Sequence, residues 1–115
     1  MLLNLCNHPS HLWTDNQMTT ALDHYQTIED LSFPPIDPNM TDYDLDLLVD
    51  GYVQKIRQIN PLAVHIMGEL VFTHRLVNRL TAIGISCIAS TTERKVIVKK
   101  NITTSEFGFA QFRHY

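Results

Sequence analysis

The chain has 115 residues, with 9 Lys and Arg against 12 Asp and Glu for a formal net charge of −3 and 44% apolar residues, values that fit one globular domain over 1–115. This acidic balance gives no general attraction to duplex nucleic acid, and no window approaches the roughly 18 successive apolar residues that a membrane-spanning helix needs. No repeat and no Gly/Ser-rich, Pro-rich or single-charge tract interrupts the chain, so linkers and disordered tails are not expected.

The opening run MLLNLC is apolar, but Asn4 interrupts it and no basic segment precedes it, so it reads as a first strand, Leu2 to Cys6, rather than a secretory leader. The turn formers Asn7, His8, Pro9 and Ser10 end that strand. Thr14 or Asp15 then caps a helix through Met18, Ala21, Leu22 and Tyr25, and a second strand is expected over Thr27 to Leu31. Three prolines between Phe33 and Pro38 forbid helix and make a long extended connection. From Thr41 or Asp42 the spacing of Leu45, Leu48, Val49, Tyr52, Val53 and Ile56 predicts an amphipathic helix, with acids early and Lys55 and Arg57 late as the helix dipole favours.

Pro61 stops that helix. Leu62 to Met67 reads as a third strand, Gly68-Glu69 as a turn, and Leu70, Phe72, Leu76, Val77 and Leu80 as the next helix, which ends at Gly84. A fourth apolar run, Ile85 to Ala89, leads into a polar loop, Ser90 to Arg94. Val96 to Val98 and the stretch carrying Phe107, Phe109 and Phe112 then predict a terminal hairpin. Strands alternating with helices of ten or more residues imply βαβ crossovers. The predicted fold is therefore α/β: a small Rossmann-like three-layer domain whose sheet is mostly parallel and carries a C-terminal β-hairpin at one edge.

In open parallel sheets, ligands bind beyond the carboxyl ends of the strands, near the point where strand order reverses. That rule selects four connections: Asn7 to Ser10, Phe33 to Asp37, Met67 to Glu69 and Ser90 to Arg94. Ser90, Thr91, Thr92, Glu93 and Arg94 offer hydroxyls, amides and one guanidinium, a set suited to phosphate or ribose. Gly68 would let backbone approach a ligand, with Glu69 opposing a bare phosphate. His8 is placed to orient a hydroxyl or move a proton, assisted by Asn7 and Ser10, while Gln17 can face the same crevice. Trp13 is expected to pack against the core. Of the six histidines only His8 and His11 are close in sequence, His65 alternates within a strand, and neither HExxH nor CxxC occurs, so no metal and no cofactor are expected. Cys6 and Cys87 sit in apolar runs and are expected as reduced buried thiols, in keeping with a cytoplasmic location.

The strand ending in Asn7-His8-Pro9, the helix start from Trp13 to Gln17 and the compact Rossmann-like chain with its terminal hairpin resemble the small stand-alone ring nucleases and related cyclic-oligoadenylate-binding accessory proteins of type III CRISPR antiviral defence, which have a CARF-related fold. The likeness covers most of the chain in architecture, and short motifs in sequence. It implies a homodimer that receives a cyclic oligoadenylate, with cyclic tetra-adenylate first in mind, across its two-fold axis. It also implies that the ligand is either held or cut without metal, a ribose 2′-hydroxyl attacking the adjacent phosphate. On this chain His8 and Arg94 would be the catalytic residues, and Asn7, Ser10, Gln17, Met67, Gly68, Glu69, Ser90, Thr91, Thr92 and Glu93 would bind the ligand. Two other readings stand beside it: an enzyme acting on a free nucleotide or sugar phosphate in the same crevice, with His8 as acid/base and Glu69 as its partner, and an interaction subunit presenting Phe107, Phe109 and Phe112 of the terminal hairpin.

Overall fold

The computed structural model describes residues 1–115 as five strands and three helices: β1 Leu2–Cys6, α1 Asp15–Tyr25, β2 Ile28–Asp30, α2 Asp42–Ile59, β3 Ala63–Met67, α3 Leu70–Ala82, β4 Ser86–Lys99 and β5 Ile102–His114. A short 3-10 turn, Ser10–Leu12, leads into α1. The strands form one sheet in the order β2-β1-β3-β4-β5. The first four run parallel, and β5 returns antiparallel to β4. The α/β class, the mostly parallel sheet and the terminal hairpin all match the reading of the sequence.

Local chemistry explains the boundaries. Thr14 and Thr41 sit in extended conformation before α1 and α2, and their side chains accept from the Gln17 and Asp44 amides, so each helix begins where a hydroxyl satisfies an orphan donor. At the other end of α3, Gly84 has φ +84° and completes a Schellman closure: the Gly84 amide donates to the Thr81 carbonyl and the Ile85 amide to that of Leu80. A side chain at Gly84 would strain that turn.

The helices divide between the two faces of the sheet. On one face α2 and α3 bury Leu45, Val49, Ile56, Phe72, Leu76 and Leu80 against Leu3, Leu5, Val64 and Ile66 of β1 and β3. Phe72 is fully buried, and Phe33 and Tyr52 meet it edge-on at ring separations of 5.2 and 5.6 Å. On the other face α1 packs Ala21, with Trp13 before it, against Leu2, Ala63 and Ile88. Arg75 and Arg79 of α3 pair with Asp42, Asp46 and Asp50 of α2 across the outer surface. Cys6 and Cys87 are buried and free. Burial pushes Cys87 up to about 11 and also raises Cys6, so neither thiol is a ready nucleophile.

One element differs from its sequence-based expectation. The loop expected at Ser90 to Arg94 is extended strand, and β4 continues through it without a break to Lys99. The pairing partner decides this. From Ile88↔His114 out to Lys99↔Ile102 the β5 backbone satisfies the β4 backbone, with one irregularity between Ser90 and Thr92, so polar residues with solvent beside them can still be strand. The hairpin closes at Lys100 and Asn101, both left-handed at φ 48° and 66°, the geometry of a two-residue type I′ turn. Beyond the body of the sheet the two strands form an arm, and the molecule extends 54 Å along its longest axis.

Candidate functional site

Parallel register lays a polar row straight across the sheet. Asp30 of β2 pairs with Asn4 of β1, and Asn4 pairs with His65 of β3. Because side chains alternate along each strand, these three point to the α1 face, while Leu3, Leu5, Val64 and Ile66 point the other way. Ser90 of β4 lies two residues beyond Ile88, the register partner of His65, and so shares that face.

Hydrogen bonds join the row end to end. The Asn4 amide nitrogen donates to Asp30 Oδ1 at 2.8 Å and to the His8 carbonyl at 3.1 Å, which leaves Asn4 Oδ1 as the acceptor facing His65 Nδ1 at 2.8 Å. The accounting therefore assigns the proton to Nδ1. His65 Nε2 lies 2.7 Å from Ser90 Oγ, and Gln17 Nε2 of α1 donates to the same oxygen at 3.0 Å. His65 is only 2% exposed, and burial pushes its imidazole down from 6.5 to about 4. A neutral ring with its proton on Nδ1 must accept at Nε2, so Ser90 is the donor. At the far end, burial alone would raise the Asp30 carboxyl, but hydrogen bonds from Asn4 and from the Ser10 hydroxyl and amide outweigh it and hold the group below its usual value.

This row opens into a pocket of about 610 Å³ at the carboxyl ends of β1 and β3. The strand order reverses between these two strands, which is where open α/β sheets bind ligands. Cys6, Asn7 and His8 enter from β1, Trp13, Thr14 and Gln17 from α1, His65, Met67 and Gly68 from β3, Ser90 and Thr92 from β4, and Phe107 to Phe109 from β5. None of the 14 lining residues is Asp, Glu, Lys or Arg, so the walls combine aromatic surface with uncharged donors and acceptors. Trp13 is buried, its ring meets His65 at 5.2 Å and its Nε1 donates to the His8 carbonyl, which ties the first strand-end loop to the polar row. No three His, Cys, Asp or Glu side chains come together in a cluster that would hold a metal ion.

The structure thus brings together seven of the residues singled out from sequence: Asn7, His8, Gln17, Met67, Gly68, Ser90 and Thr92. It places the others elsewhere. Ser10 gives both its amide and its hydroxyl to Asp30. Both Glu69 oxygens accept from the Val71 and Phe72 amides at the start of α3, so Glu69 is a helix cap and does not reach His8. Thr91 is held by the Gln111 backbone. Glu93 is exposed on the arm, and the Arg94 guanidinium donates to Ser105 Oγ at 3.0 and 3.2 Å. Asn4, Asp30 and His65 were not among the sequence-derived ligands. For Asn4 and His65 the signal was a polar residue inside an otherwise apolar strand, the arrangement that burial makes informative, whereas Asp30 ends a short exposed strand, Ile28–Asp30, and carried no such signal.

Gly68 has a packing role as well. A Cβ there would collide with the Phe33 ring that lies edge-on to buried Phe72, so the glycine makes room for the proline-rich connection to fold over the α3 entrance. Gly68→Ala is expected to lower the unfolding free energy by about 1–3 kcal/mol by overpacking. Urea denaturation measures this, and an unchanged midpoint would show that Phe33 is free to move aside.

A family model described as "Uncharacterized protein MJ1673 family" matches residues 1–113, nearly the whole chain. The chain belongs to the MJ1673 family. No curated protein and no solved structure matches it. No helix is long and apolar enough to cross a membrane.

Proposed function

We propose that the chain binds a cyclic oligoadenylate in the crevice between the Asn7-His8 loop, Gly68 and the Ser90 to Thr92 stretch of β4, and that a second copy of the chain completes the site. The observation that carries this reading is the pocket itself, set at the β1/β3 switch point and lined by aromatic rings and uncharged hydrogen-bonding groups. Aromatic surface suits adenine, and side-chain amides and hydroxyls suit ribose.

Phosphate charge calls for a cation, and no Lys or Arg lines the pocket. The arm supplies one. Alternation along β4 puts Arg94 on the same side as Ser90 and Thr92, and antiparallel pairing sets Phe107 opposite Arg94 and Ser105 opposite Val96. Arg94, Val96, Val98 and Phe107 therefore share the face that continues outward from the pocket, and all four are exposed. An apolar face of this kind with one guanidinium at its inner end suits a two-fold partner closing over a symmetric anionic ring. His8 inside the pocket and Arg94 at its rim would then flank the ligand, in keeping with the catalytic roles that the CRISPR ring-nuclease resemblance implies.

Calorimetry with cyclic tetra-adenylate and cyclic hexa-adenylate, with AMP and ATP as comparisons, tests the reading. Binding of one ring per two chains is expected, with light scattering giving twice the 13.2 kDa chain mass. Arg94→Ala is expected to weaken binding at least about tenfold, the worth of one charge-assisted contact. Chromatography of the bound ligand separates cutting from holding. No heat of binding for any ring size removes the proposal.

A further inference from the structure

Asp30, Asn4, His65 and Ser90 form a directed chain of donors and acceptors that ends on a hydroxyl in the pocket wall. Each link has one permitted direction. Asn4 gives both amide protons away and so accepts from His65 Nδ1, and the free Nε2 lone pair then accepts from Ser90. This is the arrangement of an activated serine: nucleophile, imidazole base, and a side-chain carbonyl that fixes the tautomer of the base. The Trp13 ring against His65 and the Gln17 amide on Ser90 further limit where the two reacting groups can turn.

We propose that Ser90 is a nucleophile toward esters, with His65 as its proton acceptor and Asn4 and Asp30 as positioning residues. As Ser90 Oγ bonds to the electrophilic carbon or phosphorus, its proton passes to His65 Nε2. The leaving alcohol departs with that proton. Water then attacks the Ser90 ester, giving one proton through His65 back to Ser90 Oγ and releasing the acid. Gln17 Nε2, already within hydrogen-bond distance of Ser90, donates to the oxygen on which charge develops. The activity does not depend on the cyclic-oligoadenylate proposal, and either can fail alone.

The test uses an alkyl fluorophosphonate and p-nitrophenyl butyrate on the full chain. The fluorophosphonate is expected to add one phosphonyl group, with loss of fluoride, at Ser90 as located by peptide mass spectrometry. Ser90→Ala is expected to take no label. His65→Gln is expected to label at least about 100-fold more slowly, the scale of a lost general base. Gln17→Ala removes the donor to Ser90 while leaving the Asp30–Asn4 and Asn4–His65 links in place, and is expected to slow labelling about tenfold while circular dichroism stays that of the wild type. Butyrate turnover that Ser90→Ala abolishes, without phosphonyl labelling, would place the electrophile among acyl esters, labelling of Ser90 alone would place it among phosphoryl esters, and unlabelled turnover that survives Ser90→Ala would overturn the proposal. Folded wild type that shows neither reaction, label on another residue, or equal labelling of Ser90 in His65→Gln would overturn the proposal.

Discussion

Asn4→Leu is expected to lower the unfolding free energy by about 2–4 kcal/mol, although leucine is the residue on both sides of it and would bury more apolar surface. The loss follows from what the amide holds. Without Asn4 Oδ1 the His65 Nδ1 has no partner in a setting with 2% exposure, whether it keeps its proton or gives it up, and Asp30 loses one of the donors that keep it charged. An unmet buried polar group costs about 1–3 kcal/mol, and a lost hydrogen bond to a charged group adds about as much. The His8 carbonyl keeps its Trp13 partner, so the first loop is expected to stay folded. Chemical denaturation reads the stability. Nitrogen-15 spectra of the ring read the tautomer, which is expected to move its proton to Nε2 so that Ser90 becomes the acceptor. A variant as stable as the wild type, with its ring proton still on Nδ1, would show that the row is not held as described.

The same row marks where sequence reading succeeds and where it stops. Helices with three-to-four-residue spacing, their threonine caps and the Gly84 stop depend on residues close in the chain, and these were legible. So was the rim of strand exits, because chain topology alone puts Asn7, His8, Met67 and Gly68 on one edge. Register was not. Asn4 and His65 are 61 residues apart and Asn4 and Asp30 26 apart, and only the pairing of whole strands decides that they share a row. Ser90 to Arg94 misled for a related reason. A strand that pairs with an antiparallel arm and has solvent beside it can carry polar side chains, so composition reads as loop what hydrogen bonding makes strand. The shift sets a limit on the proposed site: Ser90 and Thr92 face the pocket because they alternate, Thr91 does not, and Arg94 reaches only the rim.

Acid is expected to weaken the fold by about 3 kcal/mol between pH 6.5 and pH 4, through His65 alone. Its folded value of about 4 lies below the 6.5 of a free imidazole because burial penalises the charged ring. In the unfolded chain the ring takes up a proton as the pH falls through 6.5, whereas in the folded protein it stays neutral until about 4. Over that interval the unfolded state binds more protons, so stability is fully present above 6.5 and is lost as pH falls toward 4. The shift of about 2.5 pKa units at 1.36 kcal/mol each gives the magnitude. Asp30, held below its usual value, is expected to extend the loss further into acid as its carboxylate is protonated. Urea unfolding measured at pH 7.5, 5.5 and 4 checks this. His65→Leu is expected to be less stable than the wild type at pH 7.5, because Ser90 and Asn4 lose their partner, yet to show a shallower slope through the same interval. Parallel slopes for the two proteins would mean that His65 ionises freely in the folded state, and a freely ionising ring cannot be the buried neutral acceptor that the Ser90 hydroxyl requires.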